Sequence, residues 1–304
     1  MNSRILLVGD NPFHGISHLS QERAISRGKN LTDPKNASRL VNTALDNGAD
    51  GFMFSVSNTT LSILKLACQD GQQSDIKLYA IVPYVFEFVR MAVTEGGFTG
   101  LAKKLGTDVV ISANISAIYN GAQGVVANNP SSLLKAYLLY EESRIRRAAG
   151  KKGELSALFL HEVVTDMAIS LNMEWLIRTH INHLLTRGVK PGLHTHNLPI
   201  LVKTLKRWKI DIDKLAITTQ FNSLGFGMTP SREAYEAAMR EIPNAEVIAF
   251  GIMGSGYLKL ADAFEYIDHL TQLSGLVIGV SSEKQARESF SYIKTKWNKP
   301  AETY

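Results

Sequence analysis

The sequence predicts an α/β protein, a closed (β/α)8 barrel (TIM barrel) with one extra strand or loop elaboration. Three observations lead there. Short β-branched or aliphatic runs alternate with stretches of helical spacing along the whole chain, the pattern of a parallel sheet covered on its outer face. The 304 residues show no composition break, so 1–304 reads as one barrel domain more naturally than as two Rossmann domains. No G-x-G-x-x-G follows an early strand, which weakens a doubly wound sheet.

The elements follow in order. Strand candidates are ILLVGD (5–10), GFMFSV (51–56), KLYAIVP (77–83), DVVISAN (108–114) and ALFLHEV (157–163), then GLHTHN (192–197), LAITTQFN (215–222), EVIAFGI (246–252) and GLVIGVSS (275–282). That makes nine where a barrel needs eight, and either 108–114 or 157–163 is the extra one. Residues 115–130 read as a long loop inserted over one barrel mouth. The clearest helix is 131–149, which follows Asn129-Pro130, aligns Leu134, Leu138 and Ile145 on one stripe, and stops at Gly150. A second helix follows Thr229-Pro230. A third opens at Ser282, with Gln285 at capping-box spacing.

Composition narrows the class. With 45% hydrophobic and 20% charged residues the chain reads as soluble and globular. The apolar stretch after Arg4 is too short for a signal-peptide core, and no run approaches the ~20 apolar residues of a membrane span. A cytoplasmic location is expected, with no membrane partner. The single cysteine, Cys68, excludes an intrachain disulfide and reads as a packed helix residue. The net charge of +5 is concentrated in RIRRAAGKKGE, KTLKRWK and YIKTKWNK, each near a helix end, where cations complement the dipole. That placement disfavours nucleic acid as a partner. A homo-oligomer is compatible with the sequence.

Barrel enzymes carry their chemistry at the carboxyl ends of the strands. Here those ends are polar where packing requires nothing of the kind. Five of eight histidines fall there: His14, His18, His161, His194 and His196, with Asp10, Glu162 and Asp166 among them. His180, His183 and His269 fall within helices and are expected at the surface. His194 and His196, one residue apart, face the same side of a strand. That suits two ligands of a divalent metal, with His161, Glu162, Asp10 or His14 completing the site, or an acid/base with an orienting neighbour. Near the C-terminus, Gly254, Ser255 and Gly256 can aim backbone N–H groups at an anion. Ser281 and Ser282 open a helix able to do the same, so a phosphate or pyrophosphate is expected there.

Those last segments, VIAFGIMGSGYL and GLVIGVSSEKQARESF, resemble the end of an aldo/keto reductase, and weaker similarity extends to ALDNGADGFMFSVSN, KKLGTDVVI and GLHTHNLPILVKTL. The resemblance implies a barrel and a phosphate site for NADP. It does not carry over the reaction. The family's catalytic aspartate would fall near Phe54, its tyrosine in the Ser57–Thr60 loop and its lysine near Val82 or Pro83, and only its histidine finds a match, in His161. The sequence therefore points to an enzyme of lyase, isomerase or hydrolase type acting on a phosphorylated or carboxylated small molecule by histidine acid/base or metal-assisted chemistry. An NADP-dependent oxidoreductase with a rebuilt catalytic set and a non-catalytic ligand-binding barrel are the alternatives.

Overall fold

In the computed structural model, residues 4–14, 31–84 and 129–297 are described. Eight parallel strands close into a barrel in sequence order: β1 (Ile5–Gly9), β2 (Gly51–Ser55), β3 (Ile76–Val82), β4 (Gly153–Leu160), β5 (Lys190–His194), β6 (Ala216–Gln220), β7 (Glu246–Phe250) and β8 (Leu273–Gly279). These are eight of the nine predicted runs, and 157–163 is among them: its residues 157–160 lie in β4 and 161–163 open the helix that follows. The ninth, 108–114, lies outside the described residues, as do His18 and residues 115–128 of the expected inserted loop. The barrel closes without them.

Two strand ends differ from the sequence reading for one reason. β4 and β5 stop before His161 and Asn197 because those side chains act as helix N-caps, accepting the backbone N–H of Val163 and Ile200 and turning the chain out of the sheet. His196 therefore sits in the loop beyond β5, not on the strand.

Alternation along each strand divides the core into two layers. Leu7, Met53, Ile81, Phe159, Ala216, Ile248 and Val277 pack inside the barrel. Their neighbours, among them Leu6, Phe52, Leu78, Leu158, Leu193, Ile217, Val247 and Leu276, pack outward against the helices. Both faces are apolar, which is why the strands read as continuous hydrophobic runs. Inside, large residues fit over absent side chains: a Cβ on Gly192 would lie 2.4 Å from the Phe159 ring.

The helices are α1 (Pro34–Asp46), α2 (Asn58–Asp70), α3 (Pro130–Ala149), α4 (Glu162–Ser170), α5 (Glu174–Thr186), α6 (Leu198–Arg207), α7 (Arg232–Arg240), α8 (Leu260–His269) and α9 (Glu283–Trp297). The cap that Asn129 forms on α3 and the stop at Gly150 are as predicted. The basic clusters do fall in the last turns of α3, α6 and α9. Among the described residues no helix is long and apolar enough to cross a membrane.

Two of the three helical histidines are not at the surface. His180 is fully buried, with Nε2 3.0 Å from the Gly192 carbonyl, and burial lowers its pKa to about 4. His183 is almost enclosed, its Nε2 3.6 Å from Glu142 on α3. The cause is that α5 packs against both β5 and α3, which leaves it little exposed surface. Only His269 is exposed.

The fit of Phe159 over Gly192 gives a direct test of the inner layer. Gly192→Ala should cost about 1–3 kcal/mol through overpacking. The cost should shrink when Phe159→Leu is already present, as read from denaturant midpoints. An equal cost in both backgrounds would show that the ring is not what the methyl meets.

Candidate active site

The β4–α4 junction builds the centre of the mouth. The His161 backbone N–H donates to the Val82 carbonyl, holding the residue against β3, while its Nδ1 accepts the Val163 N–H at 3.3 Å. That bond commits the Nδ1 lone pair, so the ring proton belongs on Nε2. Glu162, the first residue of α4, is then carried under the strand ends. Its Oε2 lies 3.1 Å from His161 Nδ1 and 3.2 Å from His194 Nδ1. Both separations are short, yet neither is aligned as a hydrogen bond, and Oε2 and both ring nitrogens of His194 are buried without a partner.

Burial sets the protonation of this group. Desolvation, with Asp166 and Asp10 nearby, raises the Glu162 carboxyl to about 7. Desolvation, with His196 adding to it, lowers His161 to about 4. His194 is held well below the ordinary histidine value, first by burial and then by His196 and His161. Near neutral pH the histidines are therefore uncharged and the carboxyl is half protonated.

Just beyond β1, Asp10 does two things. Its Oδ2 accepts the Ser55 N–H at 2.7 Å, joining the ends of β1 and β2, and lies 2.9 Å from His14 Nε2. His14 in turn stacks on Tyr84, with ring centroids 4.9 Å apart. His196 reaches the same mouth from its loop, its ring 5.8 Å from that of His194. The loop is fastened from three elements. Asp166 accepts from Thr195 Oγ1 at 2.5 Å and from His196 N at 3.1 Å, Tyr235 donates to the His196 carbonyl, and Thr219 donates to the Thr195 carbonyl.

A cavity of about 290 Å³ opens beside these groups, at the small end of the range for ligand sites. Asp10, His194, Ser255 and Gly256 line it, as the sequence predicts of a site. Asn11, Thr218 and Gln220 add polar wall, while Met53, Ile81, Val277, Phe226, Phe250 and Met253 make the rest largely apolar. His14, His161, Glu162 and His196 are not in its wall, nor are Gly254, Ser281 and Ser282. Sequence reasoning passed over Thr218, Tyr84, Tyr235 and Phe250. Thr218 shares its strand face with Gln220 two residues on, and that spacing was the available signal.

The expected anion cradle is narrower than the glycine pattern suggests. The Gly254 and Gly256 amides already donate to the carbonyls of Gly251 and Met253. Ser282 Oγ accepts the Gln285 N–H, as the expected capping box requires, while the Gln285 carboxamide returns to the amide and hydroxyl of Ser281 rather than to the Ser282 amide. Ser255 N–H remains, inside a left-handed turn where Gly254, Ser255 and Gly256 have φ of 52°, 59° and 91°. No lysine or arginine is among the described residues lining the cavity. This set does not fit the pyrophosphate of NADP. Among the described residues no group of three or more His, Cys, Asp or Glu is placed to hold a metal ion, so the described residues do not by themselves complete a metal site around His194 and His196.

No family model matches the chain, and no curated protein matches it either. Among solved structures, a candidate aldo-keto reductase of Pseudomonas aeruginosa is similar in fold, with a TM-score of 0.58 and 13% identity over 95% of this chain and 89% of that one. A Schiff-base-forming fructose-1,6-bisphosphate aldolase aligns at a TM-score of 0.45 and 10% identity, over 97% of this chain and 94% of its own. The first likeness bears on the fold alone, and agrees with the eight-stranded parallel barrel.

Two stability measurements check this description. Ser255→Gly should relieve about 1 kcal/mol of left-handed backbone strain and raise the melting temperature; a lower melting temperature would mean that the serine side chain holds the turn. For Glu162, the folded chain keeps a proton that the unfolded chain releases between the ordinary 4.5 and about 7, so stability falls as pH rises through that window. Glu162→Gln should therefore match wild type in acid and exceed it above pH 7, by about 3 kcal/mol at most. A variant less stable than wild type at every pH would contradict the raised value.

Proposed function

We propose that this chain is an enzyme that moves protons on a small carboxylated or otherwise singly anionic metabolite, in a reaction of lyase or isomerase type. The observation that carries the reading is the Glu162 carboxyl against His194 Nδ1, 3.2 Å away, with His194 itself among the residues lining the cavity. An acid tuned to about 7 is matched to proton transfer at neutral pH. Glu162 exchanges its proton with His194 Nδ1, and His194 Nε2 delivers or takes one at the substrate. His161 cannot substitute, because its Nδ1 already accepts the Val163 N–H.

Asp10, in the cavity wall just beyond β1, supplies the opposing base, oriented by Ser55 N–H and His14. Asp166 is a positioning residue: it holds the 195–196 backbone and so the ring of His196. The substrate's anionic group is assigned to Ser255 N–H and the open rim, because the absence of a lysine or arginine from the described lining disfavours a dianionic phosphate inside. A phosphorylated substrate, NADP-dependent carbonyl reduction and a non-catalytic binding role are less well supported by this geometry.

The test begins with mass spectrometry of small molecules retained by the purified full chain, followed by turnover assays on what is found. Glu162→Gln and His194→Ala should each lower kcat at least a hundredfold, the scale of a lost general acid. Wild-type kcat/KM should fall above about pH 7, and that limb should be missing from the residual activity of Glu162→Gln. Retained NADP with activity that survives Glu162→Gln would favour the reductase alternative and sink this one.

A further inference from the structure

Three large apolar side chains stand exposed together at the barrel mouth. Leu224 and Phe226, on the loop after β6, are 54% and 46% exposed, and Tyr257, on the loop after β7, is 72% exposed. Leu224 Cδ1 lies 3.0 Å from where a Cβ on Gly254 would stand. The rings of Phe226 and Tyr257 have centroids 6.3 Å apart and are tilted by 51°. The two loops therefore share one apolar patch. It is continuous with the cavity, since Phe226 is itself in the cavity wall, beside Met253.

The patch is held in place rather than left loose. Gly225 and Gly227, on either side of Phe226, have φ of 69° and 71°. The buried Asn222 side chain accepts the Phe226 N–H and donates to its carbonyl, both at 2.9 Å. Arg232 donates to the Ser223 carbonyl at 2.9 Å and so fastens the same loop from α7. A large apolar ring held half in water is poorly used by folding alone. Beside a cavity it is a contact surface that loses little freedom when a ligand arrives.

We propose that Leu224, Phe226 and Tyr257 form an outer subsite for an aromatic ring, which makes the substrate an aryl-substituted carboxylic acid. The proposal rests on the proton-transfer reading and names the substrate class for it. The cavity of about 290 Å³ is small for a ligand site, so a ring-bearing substrate extends onto this rim. Ser255 N–H, to which the anionic group is assigned, belongs to the turn that Tyr257 closes. A carboxylate at that amide leaves the rest of the molecule against the rim. Two tilted rings fixed in position suit a third ring, which meets them edge-to-face or offset. A flexible alkyl chain would lose rotamer freedom against the same walls. No lysine or arginine among the described lining residues pairs with a charge on the ring, which leaves the ring uncharged.

The test uses the full chain and three probes, 3-phenylpropanoate, 3-cyclohexylpropanoate and propanoate, with affinities read by nuclear magnetic resonance titration. 3-Phenylpropanoate should bind roughly tenfold more tightly than propanoate and roughly threefold more tightly than the cyclohexyl acid. It should also move the ring resonances of Phe226 and Tyr257. Tyr257→Ala removes an exposed ring and should weaken 3-phenylpropanoate roughly threefold while leaving propanoate unchanged. Phe226→Leu keeps apolar bulk in the Asn222 clamp, so it should weaken the phenyl acid more than the cyclohexyl acid. Several results would overturn the subsite: no saturable binding of 3-phenylpropanoate, equal affinity for it and either other acid, or two variants that bind it like wild type. A wild-type dimer that Tyr257→Ala dissociates would also overturn it, because the rim would then be an interface between copies. If the subsite fails while Glu162 still titrates near 7, the proton-transfer reading survives. If Glu162 titrates as an ordinary carboxyl, that reading fails whatever the probes do.

Discussion

The site depends on one half-buried carboxyl, its Oε2 enclosed, placed between two imidazoles. Glu162 occupies that position because His161 ends β4 by capping α4, which fixes the next side chain at the strand ends and turns it toward β5. Water is largely excluded, so the ionised carboxylate is disfavoured and so are the imidazolium forms of His161 and His194. The opposing shifts keep the proton on the carboxyl rather than on either imidazole, so the group is an acid beside two uncharged rings. An acid with a value of about 7 can release its proton at neutral pH, and the burial that sets this value also makes the arrangement destabilising. The folded chain loses stability through Glu162 as pH rises from 4.5 to about 7, and through His161 as pH falls from 6.5 to about 4. A site built for packing alone has no reason to carry both penalties.

The scaffold holds this group from several strand ends, and two of its fastening residues, Asp166 and Asp10, lie close enough to raise the Glu162 carboxyl further. Asp10 ties β1 to β2 through Ser55 and orients His14, so the first strand end is rigid before any ligand arrives. The loop after β5 is held from α4, β6 and α7 at once, by Asp166, Thr219 and Tyr235. The rim loop after β6 is fastened at its own base, where Asn222 bonds both the N–H and the carbonyl of Phe226. Phe226 is thereby fixed in the cavity wall. A mouth with fixed dipoles and few mobile groups is suited to stabilising charge that develops during a reaction.

Much of this was legible in the residues. Continuous apolar runs such as ILLVG and GLVIG needed cover on both faces, and that requirement leads to the closed parallel sheet. Polar residues clustered where those runs stop marked the mouth, and Asp10, Glu162 and His194 come together there. What sequence could not show depended on neighbours far along the chain. His180 looked like a surface helix residue until α5 was placed against β5. The glycines at 254 and 256 permitted a backbone cradle, but their amides close the turn itself. Permissive φ is visible in a sequence; the destination of each N–H is not.

The most direct measurement is a carboxyl titration by carbon-13 magnetic resonance of glutamate-labelled protein, assigned by the signal that Glu162→Gln removes. The account predicts a single carboxyl titrating near 7, with the nitrogen resonances of His194 responding in the same pH range while that ring stays uncharged. A Glu162 carboxyl that titrates near its ordinary 4.5, or a His194 that becomes charged near 6.5, would contradict it.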